Sequence, residues 1–81
     1  MDNTVYKLIQ DELERAIAIH PDYPGDIFKQ LAIMQEEAGE VAKAVNDYSD
    51  GNDSIEHIKE ELIQTAAMCV RMILNIEKES N

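Results

Sequence analysis

Three carboxylates stand within five residues near the middle of this chain: Glu36, Glu37 and Glu40. In a helix, residues three and four apart lie on one surface, so these side chains share a face. Like charges at that spacing destabilise an isolated helix, and such a cluster most often belongs to a solvated face. A second acidic step, from Glu61 to Gln64, repeats the spacing of Glu37 and Glu40. The repetition raises the hypothesis that the two steps form one site.

The angular positions of the two steps support this hypothesis. At about 100° per residue, Glu37 and Glu40 are displaced from the apolar stripe of their helix, which is centred on Leu31. Glu61 and Gln64 are displaced in the same sense from the stripe of the following helix. Two antiparallel helices would therefore turn both steps toward a shared groove.

Apolar residues adjoin both steps, which a purely solvated face would not have. Ile33 and Ala44 flank the first step, and Met68 lies one to two turns beyond Glu61. Carboxylates in such a cleft, or in a subunit interface, need their charge neutralised. A divalent cation is the simplest solution, and ligands that are all oxygen atoms favour Mg²⁺ or Mn²⁺.

Helical periodicity places these residues in a chain of three helices. Apolar residues recur at intervals of three and four over residues 4–19, 26–48 and 55–77. The sequence predicts an all-α helical bundle that forms one domain over residues 1–81. Helix starts are predicted at residues that cap helices well, namely Asn3 or Thr4, Gly25 or Asp26, and Asp53 or Ser54.

Each predicted helix has one apolar stripe that we expect to form the core. The stripes are Val5, Leu8, Ile9, Leu13, Ala16 and Ile17; Ile27, Leu31, Met34, Ala38, Val41, Ala42 and Val45; and Ile55, Ile58, Leu62, Thr65, Ala66, Cys69, Met72, Ile73 and Ile76. Because Cys69 lies in this third stripe, we expect a buried core thiol. The prolines and the glycine of residues 20–25 indicate a loop, in which His20, Asp22 and Tyr23 could line a pocket. A helix C-terminal position is the more usual role for a histidine such as His20.

Size and charge limit the classes of partner. A chain of 81 residues buries only a small core, so the sequence favours a homodimer or homotetramer. The net charge of −10 argues against direct binding of nucleic acid or of an anionic membrane. No apolar run reaches the ~18 residues that span a bilayer. A single cysteine and the polar N-terminus indicate a cytoplasmic protein.

The acidic motif resembles that of a known family. The pattern Glu36-Glu37-x-x-Glu40, followed after twenty residues by Glu61-x-x-Gln64, resembles the EExxE…ExxD signature of MazG-like nucleoside triphosphate pyrophosphohydrolases. These enzymes belong to the all-α NTP pyrophosphatase superfamily. The flanking segments, 34–41 and 60–68, are similar as well, and the resemblance covers residues 26–76.

This resemblance implies hydrolysis of nucleoside triphosphates, often noncanonical ones, to the monophosphate and pyrophosphate. It implies Glu37, Glu40, Glu61 and Gln64 as ligands of Mg²⁺ (or Mn²⁺), with Glu36 and Glu37 as catalytic residues. Glu36 would be a further ligand or a base that orients water. It also implies homo-oligomers whose antiparallel helical bundles hold the nucleotide between helices.

One position departs from the family pattern, because Gln64 stands where the family has Asp. A neutral carbonyl oxygen replaces a carboxylate there. The alternative is therefore a degenerate relative that binds nucleotide or metal without turnover. A third possibility is a structural or partner-binding helical module. Arg71 and Lys78 are the nearest candidates for phosphate contacts, although surface charges are the more usual interpretation.

Overall fold

The computed structural model describes residues 3–80, with side chains as far as residue 78. The chain forms three helices: α1 (Asn3–Ile19), α2 (Ile27–Ser49) and α3 (Ile55–Ser80). Strands are absent from the described residues, and the predicted all-α class is confirmed. The third helix ends at Ser80 and not near residue 77 as predicted. Residues 1, 2 and 81, which the single-domain prediction includes, lie outside the described range.

The starts of α2 and α3 are fixed by the capping residues that the sequence predicts. The Asp26 carboxylate accepts a hydrogen bond from the backbone N–H of Phe28 at 2.8 Å. The Ser54 hydroxyl oxygen accepts from the backbone N–H of His57 at 3.1 Å. Each bond satisfies an N–H group that has no partner within the helix.

The turn between α2 and α3 is set by Gly51, whose φ of 80° lies in the left-handed region. Its N–H donates to the Tyr48 carbonyl at 3.0 Å, and the Asn52 N–H donates to the Asp47 carbonyl at 2.8 Å. This is the Schellman arrangement, which satisfies the last carbonyls of a helix. The short connection folds α3 back onto α2.

The core is small and centres on α3, which packs against both other helices. Ala67 of α3 is fully buried, and Ala16 of α1 and Met68 of α3 complete a cluster against which Ile33 of α2 packs. Within the described part of the chain, the backbones of α1 and α2 do not come into close contact with each other. The third helix therefore holds the other two in place.

Two polar side chains are buried among these small residues. Gln30 is 1% exposed, and its amide nitrogen donates to the Pro24 carbonyl at 2.8 Å. Arg71 is 8% exposed, and its guanidinium donates to the carbonyls of Ala16 and His20. Both side chains therefore bind the backbone of the segment that leads from α1 into α2.

The predicted core is confirmed in part in α1, where Ile9, Leu13 and Ala16 pack in the apolar cluster. The predicted stripes of α2 and α3 are largely exposed in the single chain and do not form its core. Leu62, the centre of the third stripe, is 50% exposed, and Cys69, predicted to be a buried thiol, is exposed. The large stripe residues that remain exposed are Val5, Leu8, Ile17, Ile27, Leu31, Val45, Ile55, Leu62, Ile73 and Ile76.

The small size of the buried residues accounts for this difference. Ala44 and Ala67 are the most deeply buried apolar residues, and their short side chains let neighbouring helices approach closely. The inward face of α2 accordingly carries Gln30, Ile33, Glu37 and Ala44. This face is the one on which the sequence places the acidic step, not the one centred on Leu31.

The tight packing around Ala67 predicts a large effect of added volume. Ala67→Leu inserts three carbon atoms where the exposed fraction is 0%, so we expect a loss of about 1–3 kcal/mol of unfolding free energy. Urea denaturation measures it. Ala18→Leu, on the exposed side of α1, is the matched control and should change stability little. Equal effects of the two substitutions would contradict the observed packing.

Candidate functional site

A cavity of about 390 Å³ opens among the three helices and the connection between α1 and α2. This volume lies at the lower end of the range of small-molecule sites, about 300–1,000 Å³. Its lining combines carboxylates, guanidinium groups, an aromatic ring and apolar side chains. The residues are Glu12, Arg15, Ala16, Ile19, His20, Asp22, Tyr23, Pro24, Ile33, Glu37, Gln64, Met68 and Arg71.

Glu37 is the electrostatic centre of this site. Burial raises the pKa of its carboxyl group, and the negative charges of Glu61, Glu36, Glu40 and Glu12 raise it further, in that order. These carboxylates come from all three helices. Each disfavours the charged form of Glu37, so the folded chain concentrates negative charge at one side of the cavity. We call this cluster of five carboxylates the acidic wall (Glu12, Glu36, Glu37, Glu40 and Glu61).

Glu61 is half-buried and already has a partner. Its carboxylate lies 3.1 Å from Nε2 of His57, whose Nδ1 lies 2.7 Å from the Asp53 carboxylate. These carboxylates raise the pKa of His57, mainly through the hydrogen bond to Asp53, and the His57 hydrogen bond lowers the pKa of Asp53. The imidazole thus links the start of α3 to the acidic wall.

The structure brings the predicted site residues together only in part. Glu37 and Gln64 line the same cavity, and Glu61 lies close enough to affect the charge of Glu37. Glu36 and Glu40 are exposed. Among the described side chains, those of residues 3–78, no group of three or more His, Cys, Asp or Glu is arranged to hold a metal ion.

Glu12 is a site residue that was not predicted from the sequence. Its side chain is 17% exposed, and Arg15 binds it through two hydrogen bonds, of 2.6 and 3.0 Å. One signal was present in the sequence: Glu12 lies four residues before Ala16, and residues at that spacing share a helix face. Ala16 is buried, so Glu12 points inward as well.

Arg71 is not the surface charge that the sequence favoured. Its Nη2 donates to the His20 carbonyl at 2.6 Å, and its Nη1 donates to the Ala16 carbonyl at 3.4 Å. The Tyr23 ring lies against the guanidinium, with 4.4 Å between the central carbon and the ring centroid. Burial raises the pKa of Tyr23, and the charge of Arg71 partly offsets this. The possible pocket at His20, Asp22 and Tyr23 is confirmed, since all three line the cavity.

Comparison of this chain with family models, with curated proteins and with solved structures finds no match. The MazG-like resemblance of the acidic motif therefore remains a prediction. A proposal about function therefore depends on the residues that line the cavity and on their charges.

The raised pKa of Glu37 predicts a pH-dependent cost to the fold. A carboxyl group whose folded pKa exceeds its unfolded pKa destabilises the protein once the pH rises through those values. Glu37→Gln should therefore increase the free energy of unfolding at pH 7 in metal-free buffer. The gain should vanish well below pH 4.5, the usual pKa of this group.

Chemical denaturation of both proteins at several pH values measures this gain. Glu14→Gln removes a charge from an exposed position of α1 and serves as the control. If Glu37→Gln were no more stabilising than Glu14→Gln at pH 7, the crowding of charge around Glu37 would be refuted.

Proposed function

We propose that this chain hydrolyses nucleoside triphosphates to the monophosphate and pyrophosphate, in a reaction that requires Mg²⁺ or Mn²⁺. House-cleaning of noncanonical nucleotides is the proposed role, in the cytoplasm. One observation carries the proposal: the charges of four carboxylates from three helices act on Glu37 at the wall of a cavity of small-molecule size. The chain bears a stability cost there that a bound cation would remove.

The chemistry of the donors fits a hard divalent cation. Carboxylate and amide oxygens are the ligands that Mg²⁺ and Mn²⁺ prefer. Glu37, Glu40, Glu61 and Gln64 would hold the cation, and Glu61 would exchange its hydrogen bond to His57 for the new contact. When bound, the cation would neutralise the triphosphate charge and lower the pKa of the attacking water.

Protein side chains perform the remaining tasks in this proposal. Glu36 orients the attacking water, and Glu37 is the second catalytic carboxylate. Arg15 also lines the cavity, where its guanidinium pairs with Glu12 and offsets part of the negative charge that the triphosphate would meet.

We also propose that the active form is a homodimer or homotetramer with antiparallel helical bundles. The exposed stripes of α2 and α3, centred on Leu31 and Leu62, support this, because exposed apolar patches of that extent mark interfaces. None of the described helices has the length and apolar content of a membrane span. The net charge of −10 supports a partner other than nucleic acid.

The alternative is a relative that binds nucleotide or metal without turnover. Gln64 is the observation that favours it, because the amide lines the cavity where the resembling family has a carboxylate. The site would then bear one negative charge fewer and hold a second cation weakly. In that case Gln64→Asp should create activity that the natural sequence lacks.

Pyrophosphate release tests the enzymatic proposal. With a panel of canonical and noncanonical triphosphates, we expect release with Mg²⁺ or Mn²⁺ and none in EDTA. Glu37→Gln should lower kcat by at least about a hundredfold, because it removes a proton-accepting group and a ligand. Glu14→Gln should leave kcat unchanged, since Glu14 lies outside the cavity.

Two results separate the candidate functions. Release by Gln64→Asp alone would establish the degenerate relative. The enzyme and the non-catalytic relative would both be refuted if neither the natural sequence nor Gln64→Asp released pyrophosphate and calorimetry showed no saturable Mn²⁺ binding. A structural or partner-binding module would then remain.

Self-association is tested by placing a charge on the exposed stripe. Sedimentation of the natural sequence should give a dimer or tetramer, and Leu62→Glu should give a monomer, because a buried unpaired charge is costly. Ala18→Glu adds the same charge at an exposed position outside the stripes and should leave the assembly intact. A natural chain that sediments as a monomer at every concentration used for assay would exclude the oligomer.

A further inference from the structure

The cavity extends beyond the acidic wall toward the connection between α1 and α2. Gln64 and Arg71 both line it from α3, seven residues apart. At 1.5 Å per residue, this separates their positions by about 10 Å along the helix axis. The part of the cavity near Arg71 is therefore distinct from the part that holds Gln64. His20, Asp22 and Tyr23 accompany Arg71 in lining the cavity.

We infer that this second part, the Tyr23 subsite (His20, Asp22, Tyr23 and Arg71), binds the nucleobase and ribose of the substrate without the help of a metal ion. The inference rests on the proposed function in taking a nucleotide as the ligand. It goes further by assigning the nucleoside to named residues. It also predicts binding of nucleosides that carry no phosphate.

The Tyr23 ring is a platform whose position is fixed before a ligand arrives. Arg71 packs against the ring at 4.4 Å while two backbone carbonyls hold the guanidinium in place. Gln30 fixes the neighbouring backbone by donating to the Pro24 carbonyl. A flat ring that is held in this way loses little freedom on binding, and nucleobases stack well on such rings.

Charge favours a neutral heterocycle over a free anion in this cavity. The lining has three carboxylates, those of Glu12, Asp22 and Glu37, against the two guanidinium groups of Arg15 and Arg71. Arg15 is bound by Glu12, and Arg71 is occupied by carbonyl groups. A phosphate without metal would meet an excess of negative charge. A base instead needs a stacking surface and a few polar groups, which Asp22 and His20 can supply.

Arg71 acts here as a positioning residue. A guanidinium that is 8% exposed and that has no carboxylate partner among the described side chains is unusual in a chain with 17 acidic residues. Its partners are the carbonyls that end α1 and the face of Tyr23. Its contacts fix the position of the ring and of the end of α1, and the ring lines the cavity.

The experiment titrates the full chain with adenosine, guanosine, cytidine, uridine and thymidine in EDTA, and follows backbone amide shifts by NMR. We expect at least one nucleoside to shift the amide signals of His20, Asp22, Tyr23 and Arg71 in a saturable manner. Tyr23→Leu should weaken that binding by about ten- to a hundredfold, the range typical of one stacking contact. Tyr6→Leu, at an exposed position of α1 outside the cavity, is the matched control.

The outcomes distinguish this inference from the proposed function. Nucleoside binding that depends on Tyr23, in a chain that releases no pyrophosphate, would support the subsite and refute hydrolysis. Pyrophosphate release with no nucleoside-induced amide shift at His20, Asp22 or Tyr23, and with KM unchanged in Tyr23→Leu, would overturn the subsite and leave hydrolysis standing. The amide shifts of the natural sequence decide the question even if Tyr23→Leu does not fold. Absence of both activities would overturn both proposals.

Discussion

The hydrogen bonds from Arg71 to the carbonyls of Ala16 and His20 hold the architecture together. The apolar core is small, since Ile9, Leu13 and Ile33 pack only partly buried against two alanines and Met68, so these polar contacts add to what fixes α1. A charged donor on carbonyls at the C-terminal end of a helix binds where the helix dipole is negative. The same side chain packs on Tyr23 and so sets the shape of the cavity. The fold and the candidate site therefore depend on one guanidinium group.

The acidic wall has the opposite effect on the fold. Burial and four neighbouring carboxylates oppose ionisation of Glu37, and no cation of the chain forms an ion pair with it among the described residues. Proteins commonly accept destabilising groups where function requires them. A bound cation, as the proposed function requires, would relieve this repulsion. Arg15 pairs with Glu12 and not with Glu37, so it offsets only part of the negative charge of the wall.

The sequence predicted the helices well and their packing poorly. Periodicity and capping residues are local signals. The structure follows them, since Asp26 and Ser54 cap the helices that they precede and Gly51 adopts the positive φ of the turn after α2. Which face of α3 packs inward is decided by contacts between distant residues. The prediction placed large apolar side chains such as Leu62 in the core. The structure buries Ala67 instead, because its short side chain lets neighbouring helices approach.

In the candidate site, too, the sequence predicted what local spacing determines and not what distant contacts determine. Spacing alone predicted that Glu37 and Gln64 would share a groove, and they line one cavity. It could not reveal Arg71, because nothing local distinguishes a buried arginine from a surface arginine. Its role depends on carbonyl groups more than fifty residues earlier in the chain.

The lack of close contact between the backbones of α1 and α2 has a consequence for motion. Amide hydrogen exchange should reveal two cooperative units, with α2 and α3 opening together and α1 opening at a lower free energy. Each opening of α1 would remove Glu12 and the Ala16 carbonyl from the cavity and admit solvent to Glu37. Exchange rates in α1 would then report how often the cavity is accessible, and a ligand that bridges α1 and α3 would slow them.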